Sequence, residues 1–214
     1  MPRKPRVERR ILGERAKRLV AVSPLVRGFV EKHIQADPKA SVPEIVRNIA
    51  HEVSLFRRPY HSIEDARRLY AQRTAHEIIR DRVVIQLRPK DREASGKDIR
   101  GCVDQVTVMV AALNELRNRG LVDDVLFARL GNHSYAKFKL GGEWWKANIT
   151  GRGWDKVDVW RMEEVDRRVE DMGAHNAAFA EGKDPRDIGL RGFEDYSTFA
   201  SNIPLRKRIR SHKR

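Results

Sequence analysis

Two adjacent glycines, Gly141 and Gly142, constrain this chain more than any other local feature. They separate HSYAKFKL (133–140) from EWWKANIT (143–150), two runs in which side-chain character changes with a period of two. Such a pair between such runs predicts a two-residue hairpin turn, because both turn positions need positive φ and glycine adopts it without steric cost. A two-residue turn fixes the register residue by residue. Leu140 then faces Glu143, Phe138 faces Trp145, Ala136 faces Ala147 and Ser134 faces Ile149. Apart from its ends this set is apolar and belongs on a core. The opposite face pairs Tyr135 with Asn148 and His133 with Thr150. The His133 imidazole and the Asn148 carboxamide therefore share a face as diagonal neighbours.

The segment ahead of the hairpin supplies a third strand, VLFARL (125–130), and before it a helix. From Cys102 the apolar residues Val103, Val106, Val110 and Leu113 follow helical spacing, and Gly120 marks the stop. The first half of the chain reads as helical. Ser41, Pro43 and Glu44 form a helix start with a capping box, after which Ile45, Ile49, Val53 and Phe56 fall on one face. Ser62 and Asp65 open a further helix that buries Ala66, Leu69, Tyr70 and Ile78. The charged stretch RPKDREASGKDIRG (88–101) reads as a loop, and residues from Trp160 onward as helix and loop. The expectation is an α+β fold: N-terminal helices and a central Cys-bearing helix packed on a small antiparallel sheet.

Composition limits what such a fold does. With 40% hydrophobic residues in 214, the chain can form a packed core, expected as one domain over 19–202. Its lone cysteine excludes an internal disulfide and fits a reducing, cytoplasmic setting. No apolar run approaches the roughly 20 residues of a membrane span. The basic start lacks an apolar region behind it, so no secretory signal is expected, and Asn148-Ile149-Thr150 reads as a chance sequon. The net charge is +14, of which +6 lies in a basic arm over 1–18 and +6 in a basic tail over 203–214. Such ends on a nearly balanced body serve either as arms for nucleic acid or an acidic partner, or as solubilising tails.

The thiol gives the hairpin its chemical meaning. A thiolate, not a thiol, is the nucleophile, and a helix N-terminus lowers the thiol pKa. A neighbouring imidazole can hold the proton and deliver it to a leaving amine, and an amide can fix the ring's tautomer. Cys102 at a helix start, His133 on one strand and Asn148 on the next supply these groups. His175 with Asn176 is a weaker rival, since adjacent residues on a helix do not readily face one ring. His51-Glu52 and His76-Glu77 lack the HExxH spacing of a metal site, so neither metal nor cofactor is expected. Tyr135, Trp144 and Trp154 are candidates for the wall of a substrate groove, and Trp145 and Trp160 for packing.

The segments GKDIRGCVDQVTVMVAALNELRNRG, NHSYAKFKL and GEWWKANIT together resemble the transglutaminase-like superfamily, whose core is related to papain-type cysteine proteases. That family has a Gly-rich approach to a Cys at a helix start, then a strand opening with His-aromatic, then a strand ending in Asp-Pro-Thr or similar. The resemblance covers 96–150. In this chain Asn148 stands where most members carry Asp, Ile149 replaces the common Pro, and Ser134-Tyr135 replaces the common Ala-Trp. The resemblance implies a minimal single-domain member without a calcium requirement, acting on a protein or peptide amide through a thioester on Cys102. The backbone N–H of Cys102 would hold the oxyanion, with Gln86 as second donor. Water would complete a protease, amidase or deamidase reaction, and an amine such as Lys a cross-linking one. The alternative is a catalytically decayed scaffold that binds nucleic acid or protein through its basic tails.

Overall fold

The computed structural model describes residues 18–131, 133–150, 157–175 and 179–198. The basic arm, apart from Arg18, and the basic tail lie outside them. The first helix, α1 (Pro24–Ala36), starts at Ser23, whose Oγ accepts the Val26 N–H at 3.3 Å. In α2 (Val42–Ser54) the expected capping box forms, with Glu44 Oε2 accepting the Ser41 N–H at 2.7 Å. Ile45, Ile49 and Val53 are buried, as is Phe56 just beyond the helix, in line with their spacing.

The helix read from Ser62 onward divides in two. After strand β1 (Tyr60–His61) comes α3 (Ile63–Leu69), and α4 (Ala75–Asp81) starts afresh. The break has a local cause: Ala71 takes φ 53°, and Thr74 with Glu77 makes a second capping box. Strand β2 (Gln86–Leu87) pairs in parallel with β1. The stretch 88–101 is not all loop, since it contains α5 (Pro89–Ser95), with Pro89 in its first turn and Gly96 ending it. None of the α5 residues is buried, so no apolar periodicity announces it.

Helix α6 (Cys102–Asn118) is the centre of the molecule, with every residue from Val103 to Leu113 buried. It packs on the sheet on one side and on α1, α2 and α4 on the other. Its start needs glycine twice over. Gly101 has φ 97°, and a Cβ there would lie 2.8 Å from Val84 Cγ2. Asp104, in the first turn, accepts the Ile85 N–H at 3.0 Å and so ties the segment carrying β2 to the head of α6.

Five antiparallel strands form the sheet: β3 (Asp124–Leu130), β4 (His133–Leu140), β5 (Glu143–Ile149), β6 (Val157–Arg161) and β7 (Phe179–Gly182), in spatial order β6-β5-β4-β3-β7. The turn is the expected one, with φ 59° at Gly141 and 85° at Gly142. Leu140 faces Glu143, Phe138 faces Trp145 and Ala136 faces Ala147. Two strands correct the expectation of helix and loop at the C-terminal end: Trp160 lies in β6, and β7 pairs with β3.

The face of the sheet away from α6 is also covered. Helix α7 (Glu164–His175) and β7 bring Glu170 and Glu181 onto Lys137, whose Nζ lies 2.7 and 2.8 Å from their carboxylates. Glu170 also accepts the Tyr135 hydroxyl at 2.6 Å. Near the end of the described chain, α8 (Asp195–Thr198) places Tyr196 against Tyr70, with ring centroids 6.0 Å apart. The main apolar cluster joins residues from Val20 to Tyr196. Among the described residues no helix is long and apolar enough to cross a membrane.

Candidate active site

The β4–β5 ladder stops at Ala136–Ala147, short of the expected Ser134–Ile149, Tyr135–Asn148 and His133–Thr150 pairs, so His133 and Asn148 lie past its end. There the two side chains meet: His133 Nε2 is 2.5 Å from Asn148 Oδ1. A carboxamide oxygen only accepts, so the imidazole donates its Nε2 proton, which leaves Nδ1 as the working nitrogen. The Cys102 thiol is hydrogen-bonded to the His133 ring and to the Ser134 backbone N–H. The head of α6 thus sits at the open start of β4. There the first-turn N–H groups of a helix have no intrahelical acceptor and favour negative charge.

Burial pushes the Cys102 thiol up, but the hydrogen bond from His133, the charges of Arg129 and His133 and the Ser134 N–H outweigh it and hold the thiol below its ordinary value. His133 shows the reciprocal effect. Burial lowers the ring, yet the hydrogen bond and charge of Cys102 and the bond to Asn148 raise it overall, against the nearby Lys146. Opposite movements of a thiol and an imidazole favour the thiolate–imidazolium pair, and the two groups titrate as a pair.

Arg129 is a member of this site that the sequence does not announce. It is 0% exposed although VLFARL reads as an ordinary strand. It lies directly across from Ser134, the residue whose N–H meets the thiol. Its Nε donates to the Gly131 carbonyl at 3.0 Å, its Nη1 donates to the Tyr70 hydroxyl at 3.1 Å, and its guanidinium lies 4.9 Å from the Tyr196 ring centre. Burial pushes Tyr70 well above the ordinary phenol value and, in the same way, brings Tyr196 up to about 12. Both phenols therefore stay neutral beside the guanidinium. Arg129 brings a positive charge to the rear of the thiol. Only its distance in sequence from Tyr70 and Tyr196 hides this, and the inward position of an Arg in an otherwise apolar strand is the one available hint.

A groove of about 290 Å³ opens onto Cys102 and His133, with Gln86, Gln105 and Ile149 among its lining residues. Cys102 is partly exposed, so the thiol is enclosed on most sides yet reachable from this groove. Gln86, the expected second oxyanion donor, is brought to the same groove by β2. The aromatic wall expected of Tyr135 and Trp144 is not there. Tyr135 is 1% exposed, and its hydroxyl is bound by Glu170 in the layer behind the sheet. Trp144 sits near the turn end of β5, four residues from Asn148, beneath the Lys137 ammonium. Trp154 lies outside the described residues, as do Asn176 and the His175 side chain of the rival pair.

Of the residues considered for metals, Glu52 is bound by Lys32, His33 and Arg82, and His76 meets Ser23 at 3.1 Å. Among the described residues no group of three or more His, Cys, Asp or Glu is placed to hold a metal ion. No protein family, no curated protein and no solved structure matches the chain significantly.

Proposed function

We propose that this protein is a thiol acyltransferase or hydrolase of transglutaminase-like type, acting on a protein or peptide amide through a thioester on Cys102. The observation that carries this reading is one continuous contact: Asn148 Oδ1 to His133 Nε2 at 2.5 Å, and the other side of that ring to a groove-facing thiol at a helix N-terminus. A core cysteine needs none of these partners.

The chemistry follows from the proton inventory. Cys102 Sγ, as thiolate, attacks the carbonyl carbon of a bound amide. The carbonyl electron pair moves onto oxygen, where the N–H groups at the head of α6 and the Gln86 carboxamide stabilise it. The C–N bond breaks as His133 Nδ1 gives its proton to the departing nitrogen, leaving a thioester and a neutral ring. Water or an amine then attacks the thioester carbonyl while Nδ1 takes its proton. Sγ leaves as thiolate, and the ion pair is restored. Asn148 keeps the ring oriented throughout, because Nε2–H remains bonded to the same oxygen in both protonation states.

Incubation with an activated acyl ester tests this directly. The expected result is an acyl group on Cys102, seen by mass, removable by hydroxylamine and absent in Cys102→Ser. Faster release with an added primary amine assigns transfer, and release unaffected by amine assigns hydrolysis. Failure of the folded protein to take up acyl groups at neutral pH contradicts the reading.

A further inference from the structure

The lining of the groove narrows the substrate, given the reading of Cys102 as nucleophile on which this inference rests. We propose that the groove binds an acyl donor carrying a carboxylate beside its reactive amide, held by Arg58, Arg100 and Gln105. Both arginines line the groove that opens onto Cys102. The acid on the same wall, Asp98, accepts from Arg100 at 2.7 Å and, from beside the groove, from Arg92 at 3.1 Å, so the lining itself holds two arginines against one carboxylate. The wall is left with a positive balance, and a concave surface lined by an excess of one sign of charge draws an anion to it.

Gln105 gives the second, independent observation. It is three residues after Cys102, one turn along the same face of α6, and lines the same groove. It is 2% exposed, and its Nε2 is buried with no hydrogen-bond acceptor among the described residues. Buried amides are nearly always paired, and one left unpaired beside a reactive thiol is a donor waiting for a ligand oxygen. Gln86 adds another amide, whereas the aromatic residues Tyr135 and Trp144 are absent from the lining. The wall is thus built to read oxygens and negative charge more than an apolar side chain. Acceptors on an acidic peptide, either a carboxylate side chain or a terminal carboxylate next to the amide, fit it.

The test compares two alkylating reagents that differ in charge, iodoacetate and iodoacetamide, on the full-length protein. Both consume the same thiolate, so their rate ratio cancels changes in thiol pKa and isolates recognition of the carboxylate. The ratio is expected to fall roughly 10-fold in the double variant Arg58→Gln/Arg100→Gln, as two nearby charges allow. Arg58→Lys/Arg100→Lys retains most of the preference, and Gln105→Leu loses about 3-fold of it, roughly one neutral hydrogen bond. Raising salt to about 1 M lowers the wild-type ratio, because the arginine wall is open to solvent. A ratio unchanged by the Gln double variant and by Gln105→Leu overturns carboxylate recognition alone. Slow reaction with both reagents at neutral pH overturns the nucleophile reading, and this inference with it.

Discussion

Replacing Arg129 with Met removes the positive charge behind the thiol and leaves the His133–Asn148 pair in place. Arg129 is opposite Ser134, whose N–H meets Cys102 Sγ, and its charge favours the thiolate. At an effective dielectric of about 20, a unit charge roughly 7–10 Å from a thiolate favours it by about 2 kcal/mol, or between 1 and 2 pH units. The acid limb of the iodoacetamide rate against pH is therefore expected to move up by about 1–2 units in Arg129→Met. The same variant strips partners from the Tyr70 hydroxyl and the Gly131 carbonyl, at a cost of about 2–4 kcal/mol in stability. Folding is followed separately by circular dichroism. Arg129→Lys retains the charge and is expected to recover most of the shift. A folded Arg129→Met whose acid limb coincides with the wild type would refute the electrostatic role.

Three further outcomes follow from neighbouring groups. Asn148→Asp places a carboxylate on His133 Nε2, which raises the imidazole by about 1–3 units and carries the basic limb of the activity profile upward. An unmoved limb contradicts the contact. Asp104 is buried and its carboxyl is pushed up to about 6 by that burial, against the Arg73 charge and the Ile85 N–H. Because the folded value exceeds the ordinary 3.8, stability is greatest when Asp104 is protonated and falls as pH rises from about 4 to 6. Relative to Asp104→Asn, the wild type should lose about 3 kcal/mol over that window in urea unfolding. Lys137→Met leaves the buried Glu170 carboxylate without its cation and should cost about 3–5 kcal/mol, with much of the loss recovered in Lys137→Met/Glu170→Gln.

The features legible in the sequence are those governed by neighbours in the chain. Gly141-Gly142 determined the β4–β5 register as far as Ala136–Ala147, and His133 and Asn148 meet just beyond that paired stretch. The Ser41–Glu44 box, the start of α6 at Cys102 and its end before Gly120 were legible for the same reason. The illegible parts depend on contacts distant in sequence. Tyr135 looked available for a groove because alternation places it opposite the core, but Glu170, 35 residues later, returns to cover that face. Arg129 depends on Tyr70, 59 residues earlier. Gln105 reads as one more polar helix residue until the groove is seen beside it. Helix α5 went unread because it buries nothing, and the break near Ala71 because a left-handed alanine has no signature in composition.

The central claim is that Cys102 ionises against His133 in a site held by Asn148. The measurement that bears on it most directly is the alkylation rate of Cys102 by iodoacetamide across pH, in native wild type and in His133→Ala. The account predicts rapid reaction of the folded protein at neutral pH, with an acid limb below that of a free thiol. In His133→Ala it predicts at least a roughly 10-fold slower neutral rate and a limb moved upward. A wild-type thiol that reacts only on unfolding, or a profile identical with and without the imidazole, would contradict it.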